Sequence, residues 1–135
     1  MVPRLSFLVG RQLAIAGEIE RCWKRLVEEL GGSRSKPEEL LARARRGSEE
    51  ARSLERTIAD RIAAYEAGWR EVQELGLVVK DPQIGLCDFH GRVEGKLVYL
   101  CWRYGEDAVA HYHDLDAGFS GRKPITAAAR QRLLN

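Results

Sequence analysis

Residues 86–104 read LCDFHGRVEGKLVYLCWRY, and this stretch decides the fold. Two runs, 86–93 and 96–104, carry strong β character and flank Glu94-Gly95. That pair suits a two-residue hairpin turn, because glycine accepts the positive φ such turns demand. A two-residue turn sets the register. Val93 then stands opposite Lys96, His90 opposite Tyr99, Asp88 opposite Cys101 and Cys87 opposite Trp102. A third run, Ala108 to Asp114, follows Gly105-Glu106-Asp107, which suits a three-residue loop. It brings Cys101 opposite His111 and Tyr99 opposite His113.

Side chains alternate between the faces of a strand. One face of the predicted sheet carries Cys87, Phe89, Val98, Leu100, Trp102 and Tyr112. It is apolar and is expected to pack on helices. The other carries Asp88, His90, Tyr99, Cys101, His111 and His113. A one-residue slip of either hairpin would mix the two sets, so the clean segregation supports the register.

Before residue 77 the period changes from two to between three and four. Leu5, Val9, Ala16, Ile19, Trp23, Leu26 and Leu30 mark one helix, ended by Gly31-Gly32. A second helix is expected from Pro37 to Leu75, capped by Ser35 and stopped by Gly76. Its stripe of Leu40, Ala44, Ala51, Leu54, Ile58, Ile62, Tyr65, Trp69 and Val72 is heptad-like from Ala51 onward. Gly47-Ser48 falls on the stripe and marks a close crossing or a kink. Such a helix is a rod of roughly 58 Å, whereas a chain of this length has a radius of gyration of about 14 Å. The expected architecture is therefore α+β: a long antiparallel helical hairpin, a three-stranded antiparallel sheet, and a short C-terminal helix over about 125–135. The 135 residues are expected to form a single domain, with the hairpin over about 3–76 and the β-rich module over about 77–124. The overlong helices are expected to form a coiled-coil-like homodimer.

The formal net charge of +2 is too small to argue for a nucleic-acid partner. The Arg122, Lys123, Arg130 and Arg132 tail reads as a solvated segment, and nucleic acid is not the expected partner. The apolar run near the N-terminus is broken by Arg11-Gln12, so it is too short for a signal peptide, and no run is long enough to span a membrane. Three cysteines without a framework spacing favour a reducing, cytoplasmic setting.

Chemistry concentrates between Lys80 and Pro124. Cys101, His111, His113 and Asp88 are ligand types that a transition metal such as zinc accepts. No Cys-x-x-Cys or His-Glu-x-x-His spacing accompanies them. A Cys101 nucleophile served by His111 and Asp88 is a second use of the same face. The loop Asp114-x-Asp116-x-Gly118-x-Ser120 echoes a calcium loop but has Ile125 where the bidentate glutamate belongs, so the match fails. With Arg122-Lys123 it remains a place for a small ligand or an anion.

The motifs Lys80-Asp81-Pro82, Gly85-Leu86, Asp88-Phe89, Leu100-Cys101-Trp102, Gly105-Glu106 and His113-Asp114-x-Asp116-x-Gly118-Phe119-x-Gly121-Arg122-x-Pro124 resemble the domain of unknown function 2203 family of prokaryotes. The resemblance covers essentially the whole chain and supplies no activity. Relatives enter the first helix through an acidic cap, where this chain has Met1-Val2-Pro3, which leaves the completeness of the N-terminus open. Relatives often read Asp-Phe-Pro at Asp88-Phe89-His90, and Cys87 is commonly aliphatic. The resemblance thus implies Asp88, Cys101, Trp102, His113, Asp114, Asp116 and Arg122 as the ligand-binding candidates. The expected function is a non-enzymatic, self-associating interaction or scaffold module, with a metal- or small-ligand-binding protein as the alternative.

Overall fold

The computed structural model describes residues 1–32, 35–115 and 121–126. It is α+β. Three helices, α1 (Val2–Leu30), α2 (Pro37–Arg45) and α3 (Glu49–Glu74), precede five strands. These are β1 (Val78–Asp81), β2 (Leu86–Val93), β3 (Lys96–Arg103), β4 (His111–His113) and β5 (Lys123–Pro124), antiparallel in the order β1-β2-β3-β4-β5. The expected C-terminal helix falls largely outside the described residues.

The two-helix hairpin is corrected to three helices. Ser48 is the cause. Its Oγ accepts the Ala51 N–H at 3.1 Å, which is an N-cap hydrogen bond, and its hydroxyl donates to Glu29 at 3.1 Å. A serine that caps a new helix cannot also continue the old one. Gly47 beside it gives little propensity to bridge the gap. The expected Ser35 cap is also corrected. Lys36 occupies the cap position of α2 without a side-chain hydrogen bond, and Pro37 presets the first turn. Gly31 and Gly76, at φ +61° and +89°, end α1 and α3 as their positions predict.

The sheet has five strands where three were expected. Val78–Asp81 pairs with β2 across a turn at residues 82–85, and Lys123–Pro124 pairs with β4. The paired runs are only four and two residues long, too short to stand out by periodicity. The central register is as read from the turn. Val93 faces Lys96, His90 faces Tyr99, Asp88 faces Cys101 and Cys87 faces Trp102. Cys101 faces His111 and Tyr99 faces His113. β4 is shorter than the run from Ala108, beginning at His111.

The chain forms two compact units: residues 1–13 with 69–135, and residues 14–68. In the first, Trp102 and Cys87 pack with Leu5, Leu8 and Val9 of α1, Val72 of α3 and Leu77. Val93, Val98, Leu100 and Ile125 form an adjoining cluster on the same side of the sheet. In the second unit Leu26, Ala44, Ala51, Leu54 and Ile58 form the core. No helix among the described residues is long and apolar enough to cross a membrane.

Gly85 combines a close approach with a left-handed backbone in the first unit. Gly85 sits at φ +67°, and a Cβ there would lie 2.6 Å from Val9 Cγ1 and 2.8 Å from Tyr104 Cβ. Gly85→Ala would meet left-handed backbone strain and a packing clash together, and is expected to cost about 3 kcal/mol. Gly95, at φ +81° with open space around it, isolates the backbone part, and Gly95→Ala should cost about 1 kcal/mol. Urea unfolding of the two variants checks this, and equal losses would refute the close-packing account.

Candidate functional site

β2, β3 and β4 place Asp88, Cys101 and His113 side by side on the face away from the Trp102 core. All three are buried, with Asp88 at 2 %, Cys101 at 1 % and His113 at 3 % exposure. The anticipated polar face is therefore closed over at this point. Asp88 Oδ2 and His113 Nε2 are 2.8 Å apart. His113 Nδ1 lies 2.9 Å from the backbone oxygen of Asp114. A carbonyl oxygen only accepts, so Nδ1 carries a proton and donates it. The second nitrogen faces a carboxyl oxygen. Either it donates as well, from an imidazolium to a carboxylate, or a protonated Asp88 donates to it.

Asp88 Oδ1 is also buried and makes no hydrogen bond of ordinary geometry. The thiol of Cys101, a weak donor, interacts with this carboxyl group. Burial pushes the Cys101 thiol up to about 11, with Arg122 partly opposing and Asp88 reinforcing. Burial also pushes Cys87 up to about 12, helped by the charge of Asp88. Both sulfurs remain thiols at neutral pH. A nucleophile needs the thiolate, so nucleophilic chemistry is not prepared at Cys101.

A second polar group centres on Glu106, which lies in the loop between β3 and β4. Its Oε1 accepts from the Arg103 N–H at 2.7 Å and from Arg122 Nη2 at 2.5 Å. Its Oε2 lies 3.5 Å from His111 Nδ1. Its backbone oxygen accepts the Trp102 indole N–H at 2.9 Å. Sequence reasoning placed Glu106 only in a turn. A loop glutamate four residues after a strand tryptophan was the available signal.

The candidates thus separate. Asp88, Cys101 and His113 come together, while His111 and Arg122 belong to the Glu106 group. Trp102 lies on the opposite face, in the core, and its indole N–H donates to the Glu106 backbone oxygen. Asp114 turns to Lys96 and Lys123, whose hydrogen bonds hold its carboxyl below the usual range. Asp116 is outside the described residues. Among the described residues no group of three His, Cys, Asp or Glu side chains is placed to hold a metal ion.

His90 and Tyr99 continue the row next to His113. Their ring centroids lie 4.7 Å apart, and those of Tyr99 and His113 lie 5.3 Å apart. Lys80 Nζ lies 5.4 Å from the Tyr99 ring. No curated protein matches the chain, and no solved structure does. A family model does match, described as an uncharacterized conserved protein (DUF2203) and covering residues 1–125; with the sheet motifs from Lys80 onward inside that span, the chain belongs to this family.

Proposed function

We propose that this protein is a non-enzymatic, self-associating interaction module that forms a cytoplasmic homodimer through its long helices. The observation that carries the proposal is in the α3 stripe. Ile58 is fully buried, yet Ile62, the next stripe residue, is 37 % exposed. The step of four between them follows another step of four, which inserts a stutter into the heptad pattern and turns Ile62 off the seam. An isoleucine at the edge of the stripe, only partly covered among the described residues, is suited to a second copy.

The sheet supports the same reading by leaving little edge to pair. β1 has a register shift between Val79 and Asp81, with Lys80 at the shift and Pro82 after it. β5 ends in Pro124. Bulges, lysine and proline are the features that discourage strand addition, so helices are the better route to association. The alternative, a metal- or small-ligand-binding protein built on Cys101, His111, His113 and Asp88, has less support. Its described side chains do not gather into a metal-ligand set.

Sedimentation velocity tests the proposal. The wild type is expected to be a dimer at micromolar concentration, and Ile62→Glu should raise the dissociation constant at least about tenfold, or ~1.4 kcal/mol. Its melting temperature in dilute solution should fall little, because Ile62 is already partly exposed. A wild type that stays monomeric up to millimolar concentration would falsify the proposal.

A further inference from the structure

We propose that the outward face of the sheet, around Lys80, His90, Arg92 and Tyr99, binds single-stranded nucleic acid. This goes beyond self-association and does not depend on it.

Three observations carry the inference. The first is the layout. Within the first unit the ends of α1 and α3 pack on one side of the sheet, and among the described residues no helix of that unit lies across its other side. Along that side Asp88 and His113 are buried, but Lys80, His90 and Arg92 on β1 and β2 are exposed, and Leu97 on β3 is 41 % exposed.

The second is charge. Among the described strand residues of this face the carboxylates are Asp88, buried and engaged with His113, and Asp81, half-buried and accepting the Gln83 N–H. The exposed charges are the cations Lys80, Arg92 and Arg103. A solvated sheet face ordinarily mixes both signs. The net charge of +2 for the whole chain conceals this local excess. Arg92 and Arg103 belong to paired positions six residues apart on the ladder, so they stand about 20 Å from one another. That is the reach of a short oligonucleotide.

The third is the ring row. Tyr99 lies between His90 and His113, with Lys80 against its ring. Tyr99 is partly covered by these neighbours, whereas His90 at the end of the row is exposed. A base stacked on His90 would extend a row that already exists, and Lys80 and Arg92 flank the position where its phosphates would run. Planar rings on the exposed part of an antiparallel sheet face, with cations beside them, suit unstacked bases of a single strand. A duplex presents no free base face to such a row. An anionic lipid surface would use the cations without the rings.

Fluorescence anisotropy with labelled oligo-uridine RNA and oligo-thymidine DNA tests this on the full chain. Binding is expected at low salt and should weaken about twentyfold between 50 and 200 mM salt, as befits about three neutralised phosphates on a single strand. Arg92→Glu should weaken binding at least about tenfold, and His90→Ala at least about fivefold, from the loss of one stacked base. Arg56→Glu, on α3 in the second unit, is the control and should bind as wild type does. Circular dichroism confirms that the exposed-site variants fold. No binding at 50 mM salt, wild-type binding by both sheet variants, or equal affinity for a duplex of the same length would each overturn the proposal. So would binding to vesicles containing anionic phospholipid without binding to the oligonucleotides, which would assign the cations to a membrane surface.

Discussion

His113→Ala is expected to lower the stability of the first unit by about 3–5 kcal/mol. The substitution removes the partner of Asp88 Oδ2 and leaves the carboxyl buried with only the Cys101 thiol nearby. Taking a carboxylate out of water is tolerable only while hydrogen bonds replace the solvent. The loss should therefore exceed the cost of the lost histidine packing alone. Asp88→Asn should be far milder, at about 1 kcal/mol, the scale of a single neutral hydrogen bond. Its amide donates to Nε2 of a neutral imidazole, while Nδ1–H still donates to the Asp114 carbonyl. The double replacement Asp88→Leu with His113→Leu should recover most of the loss, since apolar groups of similar volume commonly replace a buried ion pair without penalty. Chemical denaturation of these three variants and of the two single leucine variants measures these differences. If the two leucine substitutions simply add, the pair is not coupled and this account of the site is wrong.

Trp102→Ala should be comparably damaging, at about 3–5 kcal/mol. The indole is fully buried and joins both helices of the first unit to the sheet. It also holds the β3–β4 loop through its N–H to the Glu106 carbonyl. Trp102→Phe separates these roles. Phenylalanine keeps much of the bulk but leaves the buried carbonyl without its donor, so it should cost about 1–3 kcal/mol. Denaturant midpoints for the two variants give the comparison. A phenylalanine variant as unstable as the alanine one would assign the whole effect to the hydrogen bond.

Much of the sheet could be read from Glu94-Gly95 and Gly105-Glu106-Asp107. Two short turns fix the pairing of every residue between them, and alternation then fixes the face. What alternation does not give is depth. It puts Asp88, Cys101 and His113 on the same side as His90 and Arg92, but nothing in a period of two says that the first three are covered and the last two open. The edge strands escaped for a related reason. A run such as Val78-Val79 takes its identity from the neighbour it pairs with, here Asp88 and Cys87. The pairing of Glu106 with Arg122 spans sixteen residues and has no periodic trace at all. In the helices, the stripe was legible and its interruption was not, because Gly47-Ser48 keeps its place on the stripe. Only the preference of Ser48 for an N-cap separates a break from a kink there.

That break also governs how the chain tolerates change. In one continuous helix, inserting or deleting a residue turns everything downstream by about 100°, and the apolar stripe of α3 would swing away from its core. With Gly47 and Ser48 between them, α2 can lengthen or shorten while Ser48 starts α3 afresh in the same rotational phase. Variation in length among related sequences should therefore gather in and just before α2, and the α3 stripe beyond it should keep its spacing.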